Sequence, residues 1–177
     1  DGQVFTGTGA GLPAGFEAAA GGGGVLQVKT TEKSDTFTST ASSPVLITGM
    51  SVAITPTASS SKILVIATVG GYQSCGTCFS QLVLKRDSTE ISIGDAAGSR
   101  ARMSAIDFEP STVPHHPTII DLDDPATTDE VVYTLHGNGE SSNTMYFNRH
   151  ATDSDALISG ARASSSITVM EISTDVL

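Results

Sequence analysis

From Val25 onward, apolar and polar residues alternate with a period of two rather than 3.6. Met50, Val52 and Ile54 alternate with Ser51, Ala53 and Thr55. Val131, Tyr133 and Leu135 alternate with Val132 and Thr134, and Ile106 and Phe108 flank Asp107. Such alternation marks strands whose side chains point by turns to two faces. "KILVIATV" (62–69) is a continuous apolar run, as expected for a strand buried on both faces. "SITVMEI" (166–172) is apolar on both faces apart from Glu171, which predicts a central or an interface strand. Turn-forming clusters, "TPTASSSK", "GGYQSCGTC", "DDPATTD" and "HGNGESSN", separate these runs, and no stretch keeps a helical stripe for three turns. The pattern predicts about eight to ten short strands in an all-β fold, an antiparallel β-sandwich or jelly roll.

One stretch invites a different reading. Leu82, Leu84 and Arg86 alternate with Val83 and Lys85, "DST" supplies a turn, and Ile91 and Ile93 resume the alternation. This predicts a β-hairpin, with Asp87 initiating the turn through its carboxylate. "GDAAGSR" (94–100) then follows a strand as a phosphate-binding loop would, but it lacks the Lys-Ser/Thr pair that holds phosphate and magnesium. The following "ARMSAIDF" does not read as a helix, so no helix N-terminus gathers backbone donors for an anion. Gly94 and Gly98 are expected to turn a connector between strands.

The chain of 177 residues is long enough for one domain with a real core. Its first 24 residues, "DGQVFTGTGAGLPAGFEAAAGGGG", hold nine of the eighteen glycines and predict a neck separate from a head at 25–177. Such a segment meets its ordering entropy poorly; it is a flexible linker or is ordered only against other chains. "GTGAG" lacks both the spacing and the following helix of a dinucleotide fingerprint. The net charge of −10, with nine Lys and Arg in all, disfavours nucleic acid and anionic membrane surfaces. No apolar run of about eighteen residues is present to span a bilayer. A start at Asp1, without an initiator Met or a signal-like segment, reads as a fragment or a processed product.

"VLQV", "ITGMSVAITPTASSSKILV", "LKRDSTEISIGDAAGSR", "DDPATTDEVVYTL", "MYFNR" and "SSSITVMEI", in that order, resemble the C-terminal domain of tail-fibre proteins from marine bacteriophages and related prophages. The resemblance covers Val25 to Ile172, and the leading "GQVFTGTGAGLPAGFEAAAGGGG" is similar to the glycine-rich joints between shaft and head in such fibres. It implies a virion structural protein, homotrimeric, extracellular, joined to other tail proteins, whose head contacts a glycan or protein of the host surface. It implies no enzyme activity, no cofactor and no membrane insertion. The match weakens at 72–78 and 104–122, where exposed loops would fit recognition. Tyr72, His115 and His116 are the expected receptor contacts. A fibre-borne polysaccharide depolymerase and a non-adhesive architectural virion protein are the alternatives.

Other residues have simpler readings. Cys75 and Cys78 form one C-x-x-C without the further ligands of a zinc site or the helix of a redox motif. A local disulfide or two free thiols is expected. "PHHP" holds His115 and His116 extended and pointing opposite ways, so one chain cannot chelate with both. Three chains about an axis would gather three copies of one histidine, a site for a transition metal, although a solvated loop explains the pair as well. Asp121, Asp123 and Asp124, or Asp153 and Asp155, are calcium-ligand types without EF-hand spacing and are expected to initiate turns. No "GxSxG" elbow marks a nucleophile. His136 and His150 are expected to make structural hydrogen bonds. Asp107, Glu109 and Glu140 are carboxylates of the type glycosidases pair, with separations the sequence does not give. Tyr146, Phe147 and Arg149 suit sugar or protein recognition but lie in a β-patterned run, where strand packing explains them.

Overall fold

The computed structural model describes residues 3–6, 15–18, 24–73, 79–107, 115–140, 143–155 and 160–174; among these are fourteen strands and no α-helix. Strands β3 (Val25–Lys33), β6 (Lys62–Thr68), β11 (Thr118–Asp123) and β14 (Ser165–Ile172) form a four-stranded sheet in the order β11-β6-β14-β3. A five-stranded sheet has the order β10 (Ala105–Asp107), β8 (Ser80–Arg86), β12 (Val131–Gly139), β5 (Val45–Ile54). In it β9 (Thr89–Ile91) shares the outer edge of β8 with β10. Strands β4 (Phe37–Ser39), β13 (Met145–Phe147) and β7 (Tyr72–Gln73) make a small third sheet, and β1 (Gln3–Thr6) pairs with β2 (Gly15–Ala18). Every pairing is antiparallel and no sheet closes into a barrel.

The alternation read from the sequence sets which side chains enter the core. Met50, Val52 and Ile54 of β5, Leu82 and Leu84 of β8, and Val131, Tyr133 and Leu135 of β12 are buried. They join one cluster with Ile63, Val65 and Ala67 of β6, Ile119 of β11, and Ile167 and Val169 of β14. Two open sheets facing one shared core are consistent with a β-sandwich. Where β6 ends beside the start of β14, these neighbouring strands of one sheet lie so close that size matters. A Cβ on Gly70, just after β6, would lie 2.0 Å from the carbonyl oxygen of Ser164.

The hairpin forms as expected, with a two-residue turn at Asp87–Ser88 between β8 and β9. Asp87 takes the left-handed conformation (φ 51°), and its carboxylate accepts from the Val132 N–H at 3.0 Å, tying the turn to β12. Gly94 to Arg100 is a loop, as the connector reading expects. The run 62–69 departs from expectation: Ile63, Val65 and Ala67 are buried, but Leu64 and Ile66 are half-buried on the opposite face. "SITVMEI" is central in its sheet, between β6 and β3.

Candidate functional site

The outward side of the four-stranded sheet carries an apolar strip across all four strands. Antiparallel register aligns Leu122, Leu64, Met170 and Val28 across β11, β6, β14 and β3. The next outward row is Ile120, Ile66, Thr168 and Thr30, and the one after it Thr118, Thr68, Ser166 and Glu32. Cross-strand partners point the same way, so each row is a contiguous strip. Ile120, Leu122 and Val28 are 61, 51 and 52 % exposed. The first two rows carry no charge; charges sit at the ends, in the Lys62–Asp124 ion pair and at Glu32. With strands about 4.8 Å apart and same-face rows about 6.6 Å apart, the two uncharged rows cover roughly 250 Å².

The inward neighbours of the first row have the opposite character. Asp123, Ile63, Glu171 and Gln27 are aligned in the adjacent row, and both carboxylates are buried. Asp123 accepts from Arg86 Nη1 at 2.8 Å and from the Tyr133 hydroxyl at 2.7 Å, which links the two large sheets. Burial, together with this bond to a carboxylate, pushes the Tyr133 hydroxyl far above its ordinary pKa. Burial alone would raise Glu171 as well. Hydrogen bonds from the Gln27 amide, the Thr57 N–H and the Thr57 hydroxyl, each 2.7 Å, outweigh it and hold the carboxyl at about 2. These groups are satisfied inside the fold and serve its construction.

The Tyr72 backbone pairs with Phe147 in the small third sheet. His115 is half-buried and His116 exposed ahead of β11, where the Val69 N–H donates to Pro117 at 3.0 Å. That bond sets the start of β11 beside the end of β6, so the histidines and Tyr72 belong to one end of the molecule. Cys75, Cys78, Phe108, Glu109 and residues 110–114 lie outside the described residues.

Among the described residues, no three His, Cys, Asp or Glu are placed to hold a metal ion. Asp123 is an internal partner of Arg86 rather than a turn initiator. Asp153 accepts from Arg162 at 3.0 Å and pairs with Arg149 at 3.2 Å. Phe147 is in the core, while the Arg149 guanidinium lies over the Tyr146 ring, 5.0 Å from its centre, and donates to the Ala151 carbonyl. His150 Nδ1 accepts from the Thr152 N–H at 3.1 Å, and His136 Nε2 lies 3.1 Å from the Thr134 hydroxyl, structural roles as expected. Among the described residues, no helix is long and apolar enough to cross a membrane.

Sequence reasoning read 166–172 as a central or interface strand but did not single out the outward face of its sheet. The signal was present: two strands apolar on both faces, in a chain of net charge −10, leave one face without a core to enter. Arg86, in register with inward Leu82 and Leu84, likewise called for a buried carboxylate. No protein-family model matches this chain, and no curated protein sequence matches it either.

Proposed function

We propose that the chain is the head of a bacteriophage or prophage tail fibre: a jelly-roll type sandwich that assembles as a homotrimer and attaches the virion to a host surface. Residues 1–24 form its neck. The observation that carries this reading is the outward row Leu122, Leu64, Met170 and Val28 with the Ile120–Ile66 pair beside it. A chain of net charge −10 repels its own copies wherever charges are exposed, and these rows let copies approach without opposing charges. Roughly 250 Å² is about a third of what each partner buries in a standard interface of about 800 Å² per side. The Ser/Thr row and the strand edges supply the rim. Several heads on one particle then turn weak contacts into lasting attachment. His116 and the loops at its end of the molecule are receptor contacts in this reading.

Sedimentation equilibrium of the intact chain tests assembly, and binding of the labelled protein to a panel of marine bacteria tests adhesion. A mass three times 18.1 kDa together with saturable binding to at least one strain is expected. A monomer that binds no strain overturns the proposal. Trimers that bind no strain favour the architectural alternative, and release of reducing ends from host polysaccharide favours the depolymerase.

A further inference from the structure

The five-stranded sheet also has an outward face, and one end of it is hollow. Register aligns Ile106 of β10, Gln81 of β8 and Asn138 of β12 on that face, because Leu82 beside them points into the core. The connector after β9 is pinned at its far end, where the Ser104 hydroxyl donates to the Ile91 carbonyl and accepts from the Leu84 N–H. It turns at Gly98 (φ 62°) and is held back by Arg102 Nε donating to the Gly94 carbonyl at 2.6 Å. Between this loop and the sheet lies an open cleft of about 430 Å³, lined among others by Phe79, Gln81, Arg100, Met103, Asn138 and Glu140. That is within the roughly 300–1,000 Å³ that small ligands occupy.

The lining is amphipathic and its polar groups are available. Phe79 is 36 % exposed, and Met103 and Ile106 continue the apolar surface. Gln81 Nε2 donates to Asn138 Oδ1 at 2.7 Å, and Asn138 Nδ2 donates to the Gly139 carbonyl, which fixes both amides. Among the described residues, Gln81 Oε1 accepts no hydrogen bond. Arg86, Arg102, Arg149 and Arg162 each donate to a carboxylate or a carbonyl. The side chains of Arg100 and Glu140, both exposed, form no hydrogen bond or ion pair among the described residues. A guanidinium fork donates to two oxygens and a carboxylate accepts from two hydroxyls. Their opposite charges leave the cleft neutral in sum, which suits neither a phosphate nor an acidic sugar.

We propose that this cleft binds a neutral pyranose residue of a glycan. The sugar lays its C–H face on Phe79 and Met103, and its hydroxyls bridge Arg100, Glu140 and Gln81. Within the adhesion reading, on which it rests, this is a contact site that sequence reasoning did not find. Glu140 is the one carboxylate among the described lining residues, whereas most glycoside hydrolysis takes a pair, so the arrangement serves binding.

Saturation-transfer NMR on the intact chain with glucose, galactose, mannose and N-acetylglucosamine, each raised to tens of millimolar, reads binding directly. At least one sugar is expected to bind, with a dissociation constant on the order of millimolar. Phe79→Ala and Glu140→Gln should each weaken it about tenfold or more, and Glu140→Gln, at an exposed side chain, should leave the melting temperature unchanged. Glu32→Gln, on the other sheet, should leave it unchanged. No saturation transfer from any of the four sugars, or transfer unaffected by Phe79→Ala and Glu140→Gln, overturns the cleft proposal. Cell binding by the labelled chain separates the two readings. Cells bound equally by wild type and Glu140→Gln sink the cleft and leave adhesion standing. Sugar bound in the cleft with no cell bound sinks adhesion and leaves the cleft.

Discussion

Two adjacent rows of the four-stranded sheet have exchanged the polarity expected of inside and outside. The inward row, Asp123, Ile63, Glu171 and Gln27, holds two buried carboxylates; the outward row, Leu122, Leu64, Met170 and Val28, is wholly apolar. The five-stranded sheet shows the ordinary arrangement. Its outward row Lys85, Thr134 and Ser51 is polar, with Lys85 3.5 Å from Glu90, above buried Leu84 and Leu135. The contrast separates two uses of a strand. On the five-stranded sheet, water is the outward partner. On the four-stranded sheet the outward strip is apolar, and the inward Asp123 fastens one sheet to the other while Glu171 ties β14 to Gln27 and the Thr57 loop.

The largest test breaks the inward row. Replacing Asp123 with Ala leaves Arg86 without its carboxylate and the Tyr133 hydroxyl without its acceptor, both close to the core. A loss of about 3 kcal/mol in denaturant unfolding is expected, at the low end for a broken buried pair because Arg86 is partly exposed. Tyr133→Phe removes only the hydroxyl and should cost about 1 kcal/mol. Equal losses in the two variants would show that the Arg86 arm of the link contributes nothing and the Tyr133 bond carries it all. The next test charges the outward row. Leu122→Asp should lower the self-association constant about a hundredfold or more, since assembly would bury an unpaired carboxylate. Thr134→Asp, on the outward face of the five-stranded sheet, should leave the mass in solution unchanged. Trimers that survive Leu122→Asp would remove the strip from the interface.

The exchange of polarity also explains how far the sequence could be read. Period-two alternation gave the all-β class, the hairpin at Asp87 and the buried faces of β5 and β12, because each of these depends only on neighbours in the chain. The 62–69 run deceived because alternation is silent when both faces are apolar. Whether Leu64 enters a core or a partner is decided by which elements pack on it, not by its own strand. The Asp123–Arg86–Tyr133 link joins β11, β8 and β12, so local spacing shows that Arg86 needs a carboxylate but not that Asp123 supplies it. The cleft depends on a loop and three strands distant in sequence, and its residues, Phe79, Gln81, Arg100 and Glu140, form no motif. Of the expected contacts, His116 proved exposed, but nothing in "PHHP" could have told where β11 would carry it.

The smaller effects are titrations, one on each side of the comparison. Glu171 in the inward row is depressed to about 2 from an ordinary 4.5. Its hydrogen bonds therefore stabilise the fold fully above pH 4.5, and that contribution is lost as the pH falls from there through about 2. The melting temperature should fall along this limb, and Glu171→Gln, which keeps an acceptor but takes up no proton, should flatten it. An acid limb of the same steepness in the variant would place the titration elsewhere. His136, half-buried on the outward face of the five-stranded sheet, shifts in the sense that opposes charging. Burial and then the nearby Lys85 lower its pKa from 6.5. Because the unfolded chain binds the proton more readily, stability should decline as the pH drops below 6.5, and stop declining once the folded imidazole is itself protonated. Lys85→Gln removes the second cause and leaves the first, so the decline should shrink without vanishing. An unchanged decline would assign the whole effect to burial, and the polar face would then owe its histidine nothing electrostatic.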